Sequence, residues 1–175
     1  MKRVWPLFVG LFVLSGCGQA APSPEDSLGR LEPEAVLAQG NEYQNTRFGY
    51  ALLVPDGMAL YGLTPEQTAV AASEESDVVF LVEGETNFFT VRGIEDKRTP
   101  HEWLTENLSF FYPTGDAAQR IGELGGEPAI FLRGSGTSTS PARLIVLSRE
   151  GTLLVISYEQ ETDTFESLVE SFRTL

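Results

Sequence analysis

Two capped amphipathic helices, set among runs of strand-like sequence, constrain the fold of this chain more than any other feature. The first opens at Thr99-Pro100-His101-Glu102. Thr99 can cap the helix, Pro100 suits the first helical position, and Glu102 stands three residues on to return the hydrogen bond. Trp103, Leu104, Leu108 and Phe111 then recur at helical spacing until Pro113 stops the element. In the second, Asp163 and Glu166 stand as cap and third residue, and Phe165, Leu168, Val169 and Phe172 fall at i, i+3, i+4 and i+7 on one face. Glu34 to Gln39 has the composition of one helical turn and no more.

The remaining apolar segments carry strand patterns. Phe48, Tyr50, Leu52 and Val54 alternate up to the turn Pro55-Asp56-Gly57. Leu60 to Leu63 and Thr68 to Ala72 are short strand candidates, and Val78 to Val82 is the continuous apolar run of a strand buried on both faces. Asn87 to Ile94 follows across Gly84-Glu85-Thr86 as the second arm of a hairpin. After Gly115 comes a meander of Arg120 to Leu124, Ala129 to Arg133, Leu144 to Leu147 and Leu153 to Tyr158, broken at Gly125-Gly126, Gly134 to Pro141 and Arg149-Glu150-Gly151. Strands grouped around two helices, without strict βαβ alternation, predict an α+β fold with a mostly antiparallel central sheet. The helices can cover one face of that sheet or both.

The start of the sequence obeys different rules. Lys2 and Arg3 precede the nearly continuous apolar run Val4 to Val13, and Leu14-Ser15-Gly16-Cys17 follows. A basic start, a short apolar segment and small residues before a cut describe a secretory signal. A membrane-spanning helix needs roughly 20 apolar residues, more than this run supplies. The tetrapeptide resembles the lipobox of bacterial lipoproteins, in which the cysteine thiol receives a diacylglyceryl group and becomes the first residue of the cleaved chain. The expected organisation is a signal peptide over 1–16, a lipidated Cys17 with a flexible linker over 17–41, and one globular domain over 42–175. Proline and small polar residues such as Pro22-Ser23-Pro24 and Pro33 support the linker, whose coil length gives a reach of roughly 25–30 Å. The signal makes the expected address extracytoplasmic, and residue 18 is Gly, where Asp would resemble an inner-membrane retention signal, which leans toward the outer membrane in a Gram-negative cell. The address is then the outer membrane facing the periplasm in a Gram-negative cell, or the outer face of the plasma membrane in a Gram-positive one.

Charge and composition then exclude function classes. The net charge of −13 becomes −15 once Lys2 and Arg3 are removed, which repels nucleic acid and anionic lipid headgroups alike. Membrane contact therefore falls to the lipid on Cys17. With one Cys and one His in the chain, a Cys–His nucleophile pair and a zinc site of Cys and His are excluded once Cys17 is acylated. Neither a phosphate loop nor a dinucleotide glycine fingerprint is present. His101 occupies the first turn of a helix, where side chains face solvent, and its replacement by Ala is expected to change little. Glu74, Glu75, Asp77, Glu83 and Glu85 flank the buried strand without the ligand order of an EF-hand and read as solvated loops. Phe110-Phe111-Tyr112 cannot all face one core, so at least one ring is expected at the surface. The Gly- and hydroxyl-rich loop Gly134 to Ser140 is either a strand connection or a grip for a partner. No cofactor, metal site or catalytic residue is expected.

The order of elements is itself informative. The opening strand Phe48 to Val54 with Pro55-Asp56-Gly57, the central helix with Glu102-Trp103-Leu104, the hairpin Gly125-Gly126-Glu127-Pro128-Ala129 and the last helix through Ser171-Phe172-Arg173 together resemble the PsbP-like family. That α/β/α sandwich is shared by an extrinsic photosystem subunit, a yeast Ran-binding import factor and many bacterial lipoproteins. The resemblance covers about residues 43–175 and implies a central antiparallel sheet with helices on both faces, in a family of docking and assembly factors. The expected function is a non-catalytic binding or assembly accessory for an envelope protein or complex. The alternatives are an envelope hydrolase acting through Ser or carboxylates, and a small-ligand or lipid carrier with an apolar cavity.

Overall fold

A computed structural model describes residues 36–63, 77–84, 87–136 and 140–175. Among these residues the chain forms an eight-stranded antiparallel sheet, a three-stranded antiparallel sheet and two α-helices. The strands are β1 (Val36–Gln39), β2 (Glu42–Asn45), β3 (Tyr50–Leu53), β4 (Ala59–Leu63), β5 (Val78–Glu83), β6 (Asn87–Glu95), β7 (Ala118–Leu124), β8 (Glu127–Arg133), β9 (Arg143–Arg149), β10 (Thr152–Tyr158) and β11 (Arg173–Thr174). The helices are α1 (Pro100–Phe111) and α2 (Asp163–Ser171). The large sheet runs β1-β4-β5-β6-β10-β9-β8-β7 and the small one β11-β3-β2. This is the mostly antiparallel α+β arrangement expected from the sequence.

The hydrophobic alternation of each strand divides the large sheet into two faces. One face presents Leu60, Val79, Leu81, Phe89, Val91, Phe131, Ile145, Leu147, Leu154 and Ile156, and both the small sheet and α2 pack on it. Tyr50 stacks on Phe172 at 5.5 Å, and Phe89, Tyr158 and Phe165 form a second aromatic group with centroids 5.5–5.7 Å apart. Gly93 on β6 makes room for the buried ring of Phe48, whose Cγ lies 2.3 Å from where a Cβ would stand. The opposite face presents Ile130, Leu132, Leu144, Val146, Leu153 and Val155 to Trp103, Leu104 and Tyr112 at α1. The helices thus lie on opposite faces, which settles what the periodicity left open.

Several expectations change. Val36–Gln39 pairs with β4 and is a strand, where the sequence suggested a helical turn inside a linker reaching residue 41. Its four residues have no strand periodicity of their own; the β4 edge imposes the extended state. The strand drawn through Phe48 to Val54 is shorter, because Asn45 turns the chain between β2 and β3 by accepting from the Phe48 backbone N–H at 3.0 Å. The N-cap of α2 is Thr162, whose hydroxyl accepts from the Phe165 N–H at 3.2 Å, and Asp163 is the first helical residue. Beyond α2, Arg173 and Thr174 pair with Ala51 and Tyr50, and the Leu175 N–H donates to Gly49 at 2.9 Å. The strand candidate Thr68 to Ala72 lies outside the described residues.

Candidate functional site

The start of α1 is fixed from both sides. Thr99 Oγ1 accepts from the Glu102 N–H at 3.2 Å, and Glu102 Oε2 accepts from the Thr99 N–H at 2.8 Å. The two residues form the expected capping box. The Thr99 backbone N–H, and then its hydroxyl, hold the Glu102 carboxyl below its ordinary pKa. One residue earlier, the Arg98 guanidinium bonds Asp96 at 2.5–3.0 Å and reaches across to Glu106 one turn along the helix. Asp96 is held below the usual carboxylate range by Arg98. With its start tied this way, α1 lays Trp103 and Leu104 on β8, β9 and β10 and leaves His101 facing outward.

Beside this helix start runs an open apolar groove of about 250 Å³. Thr99, Pro100 and His101 form one wall; Ile121, Pro128, Ile130 and Ser148 supply the floor and the far rim. Proteins bury drug-sized ligands in pockets of roughly 300–1,000 Å³, so this groove suits one or two side chains of a partner better than an acyl chain. Its outer rim is β7, the end strand of the large sheet, and Ile121 on that strand is 78% exposed. On the other face of β7 the Arg120 guanidinium lies 4.1 Å over the Phe131 ring. At the far end of α1, Phe110 is 81% exposed while Phe111 leans on Trp103 and Tyr112 is buried. The Phe-Phe-Tyr run therefore splits as the helical geometry requires, with Phe110 as the surface ring.

A second polar cluster ties α2 to the sheet. Glu161 takes Arg133 at 2.7 Å and Arg143 at 3.2 Å, and the Tyr158 hydroxyl donates to Glu166 at 2.7 Å. Burial first, and the bond to Glu166 second, push the Tyr158 hydroxyl pKa well above its ordinary value. Its members are engaged with one another, and their chemistry is that of a fastening between β8, β9, β10 and the entry to α2.

The residues singled out in the sequence are placed as follows. Cys17, Glu74, Glu75 and Glu85 lie outside the described residues. Glu83 accepts from the Asn87 amide at 3.2 Å. His101 lines the groove, in company with Ser148, which sequence reasoning did not connect to it. Among the described residues no group of three or more His, Cys, Asp or Glu is positioned to hold a metal ion, and no helix is long and apolar enough to cross a membrane. Of the loop Gly134 to Ser140, positions 137–139 lie outside the described residues; Gly134 donates its N–H to Ala142 at 2.9 Å. Ile121 was missed because an isoleucine in a strand reads as core. Its neighbours held the signal: Gln119, Arg120 and Glu123 are polar in both strand phases, the mark of an edge.

Comparison with known proteins gives structural similarity only. No family model and no curated protein matches the sequence. Among solved structures, the chain is similar to the solution structure of cyanobacterial PsbP (CyanoP) from Synechocystis sp. PCC 6803, with 15% identity and a TM-score of 0.49 over 81% of this chain and 94% of that one. It is also similar to a crystal structure from Bacteroides thetaiotaomicron VPI-5482, with 9% identity and a TM-score of 0.43 over 79% of this chain and 49% of that one.

Proposed function

We propose that this chain is an extracytoplasmic lipoprotein, held to a membrane through Cys17, whose PsbP-like domain acts by binding as an accessory or assembly factor for an envelope protein. The observation that carries the binding role is the apolar groove between α1 and the β7–β8 hairpin, open to solvent and flanked by the exposed Ile121. Its walls are a proline-started, double-capped helix and a paired strand, so the surface is formed before any partner arrives and little ordering is needed on binding. The tether over residues 17–35 supplies the span between lipid and domain.

The groove is tested with a photo-cross-linking residue in place of His101, expressed in the full chain in intact cells. Reproducible capture of one envelope protein from that position, and not from the exposed Glu170 on α2, is the expected result; capture of nothing reproducible overturns the proposal. Intact mass of the mature chain tests the anchor: a diacylglyceryl mass on a chain beginning at Cys17 is expected, and a chain retaining residues 1–16 overturns it. A hydrolase would draw on the same groove, which both His101 and Ser148 line. Labelling by a fluorophosphonate that is lost in Ser148→Ala would favour that alternative.

A further inference from the structure

We infer that β7 is a self-pairing edge, and that two copies of this chain join through it antiparallel about a two-fold axis at Ile121, continuing the large sheet across the interface. The backbone decides which groups are free. Gly125 and Gly126, at φ 59° and 89°, form the two-residue turn between β7 and β8, and Leu124 pairs with Glu127 across it. In a hairpin of this type the closing pair is hydrogen-bonded, and bonded pairs then alternate along the ladder. Leu124, Gly122, Arg120 and Ala118 therefore spend their N–H and C=O groups on β8, while those of Gln119, Ile121 and Glu123 point out of the sheet. β7 ends the sheet order, and every residue from Ala118 to Ile121 is exposed.

Side chains then select the register. A two-fold axis perpendicular to the sheet keeps each face continuous and requires each residue to oppose one of the same phase. Centred on Ile121, the two isoleucines meet on the groove side. Gln119 stands opposite Glu123 of the second copy, an amide donor against a carboxylate acceptor. On the other side Arg120 stands opposite Gly122, over which the facing copy's own Arg120 guanidinium and Phe131 ring already lie, so each guanidinium stays on its own Phe131. No charge opposes a like charge, and the outward N–H and C=O groups of the three free residues meet their counterparts. A slip that centres the axis on Arg120 sets guanidinium against guanidinium, which is destabilising. A slip to Gly122 sets Ile121 against Glu123 and loses the apolar pair. Edge strands that resist pairing carry bulges, prolines or clashing charges; the β7–β8 register runs unbroken from Ala118 to Leu124, and β7 contains no proline. The interface shares Ile121 with the groove but does not depend on an envelope partner.

The test uses the full chain in its membrane, where Cys17 is the one native cysteine and the parent chain reports any link through it. Opposed residues in a bonded antiparallel pair have Cα atoms about 5.5 Å apart, inside the roughly 4.4–6.8 Å range of a disulfide. Ile121→Cys is therefore expected to oxidise to a covalent dimer. Gln119→Cys alone and Glu123→Cys alone are expected not to, since each faces its own copy at about 13 Å along the strand, whereas co-expression of those two gives a mixed dimer. All three positions are exposed, so folding is not at stake. Absence of the Ile121→Cys dimer, or equal linking at all three single positions, overturns the inference. If linking fails while His101 still captures an envelope protein, self-pairing falls and the docking role stands; the converse result sinks docking and keeps self-pairing.

Discussion

The two faces of the large sheet are covered in different ways. One lies under the small sheet and α2, where Tyr50, Phe172, Phe89, Tyr158 and Phe165 form stacked and tilted aromatic groups. Those elements come from both ends of the described domain, and β11 pairs with β3 to hold them together. The other face relies on α1, which packs on β8, β9 and β10 through few large side chains and leaves the edge beyond it open. Stability is concentrated on the first face. The two most exposed large apolar side chains, Phe110 and Ile121, lie on the second.

That contrast can be broken at four places. Phe165, fully buried between Phe89 and Tyr158, carries the largest expected effect: Phe165→Ala should cost about 3–5 kcal/mol in a denaturant titration. A loss below about 1 kcal/mol would mean that the α2 side is not where the fold is secured. Gly93→Ala drives a methyl into the Phe48 ring and should cost about 1–3 kcal/mol. In a Phe48→Ala background, which removes the ring atoms the methyl would strike, the same change should cost far less, and simple additivity of the two changes would argue against the contact.

On the α1 side, Thr99→Ala should lower stability by about 1 kcal/mol. The pH dependence follows from Glu102, whose pKa is lower folded than unfolded. Its contribution is complete above the ordinary carboxylate range, near 4.5, and is lost as pH falls through the folded value. The gap between parent and Thr99→Ala melting temperatures should therefore be full at neutral pH and narrow in acid; a gap that widens in acid would contradict the capping box. Smallest of all, Phe110→Ala should move stability by no more than about 0.5 kcal/mol. A larger loss would place that ring under cover and remove it from the surface available to partners.

How much of this was legible depended on where each element obtains its stability. α1 was readable to the residue, because Thr99, Pro100 and Glu102 act locally and need nothing from the rest of the chain. β5 was readable too: its central Val79, Phe80 and Leu81 are buried on both faces, as a continuous apolar run implies. β1 and β11 were not, since four and two residues respectively are extended only because β4 and β3 offer them partners. The α2 cap slipped by one position because Thr162 and Asp163 are both good caps and only tertiary packing chooses between them. The groove was hidden for a topological reason. His101, Ile121 and Ser148 are far apart in sequence and line one groove only once β7 is placed at the end of the sheet next to α1.

The pairing of β11 with β3 has a consequence for the order of events in folding. The small sheet joins residues 50–51 to residues 173–174, and Arg173 is bonded to Glu42 at 2.5 Å across the same seam. None of these contacts can form until nearly the whole described domain has been synthesised. The loop they close is among the longest the chain can make, so its entropy is met late. Until then Tyr50 lacks Phe172 and the aromatic face remains open. A chain assembled this way keeps its first face open until residues 172–174 are there to close it.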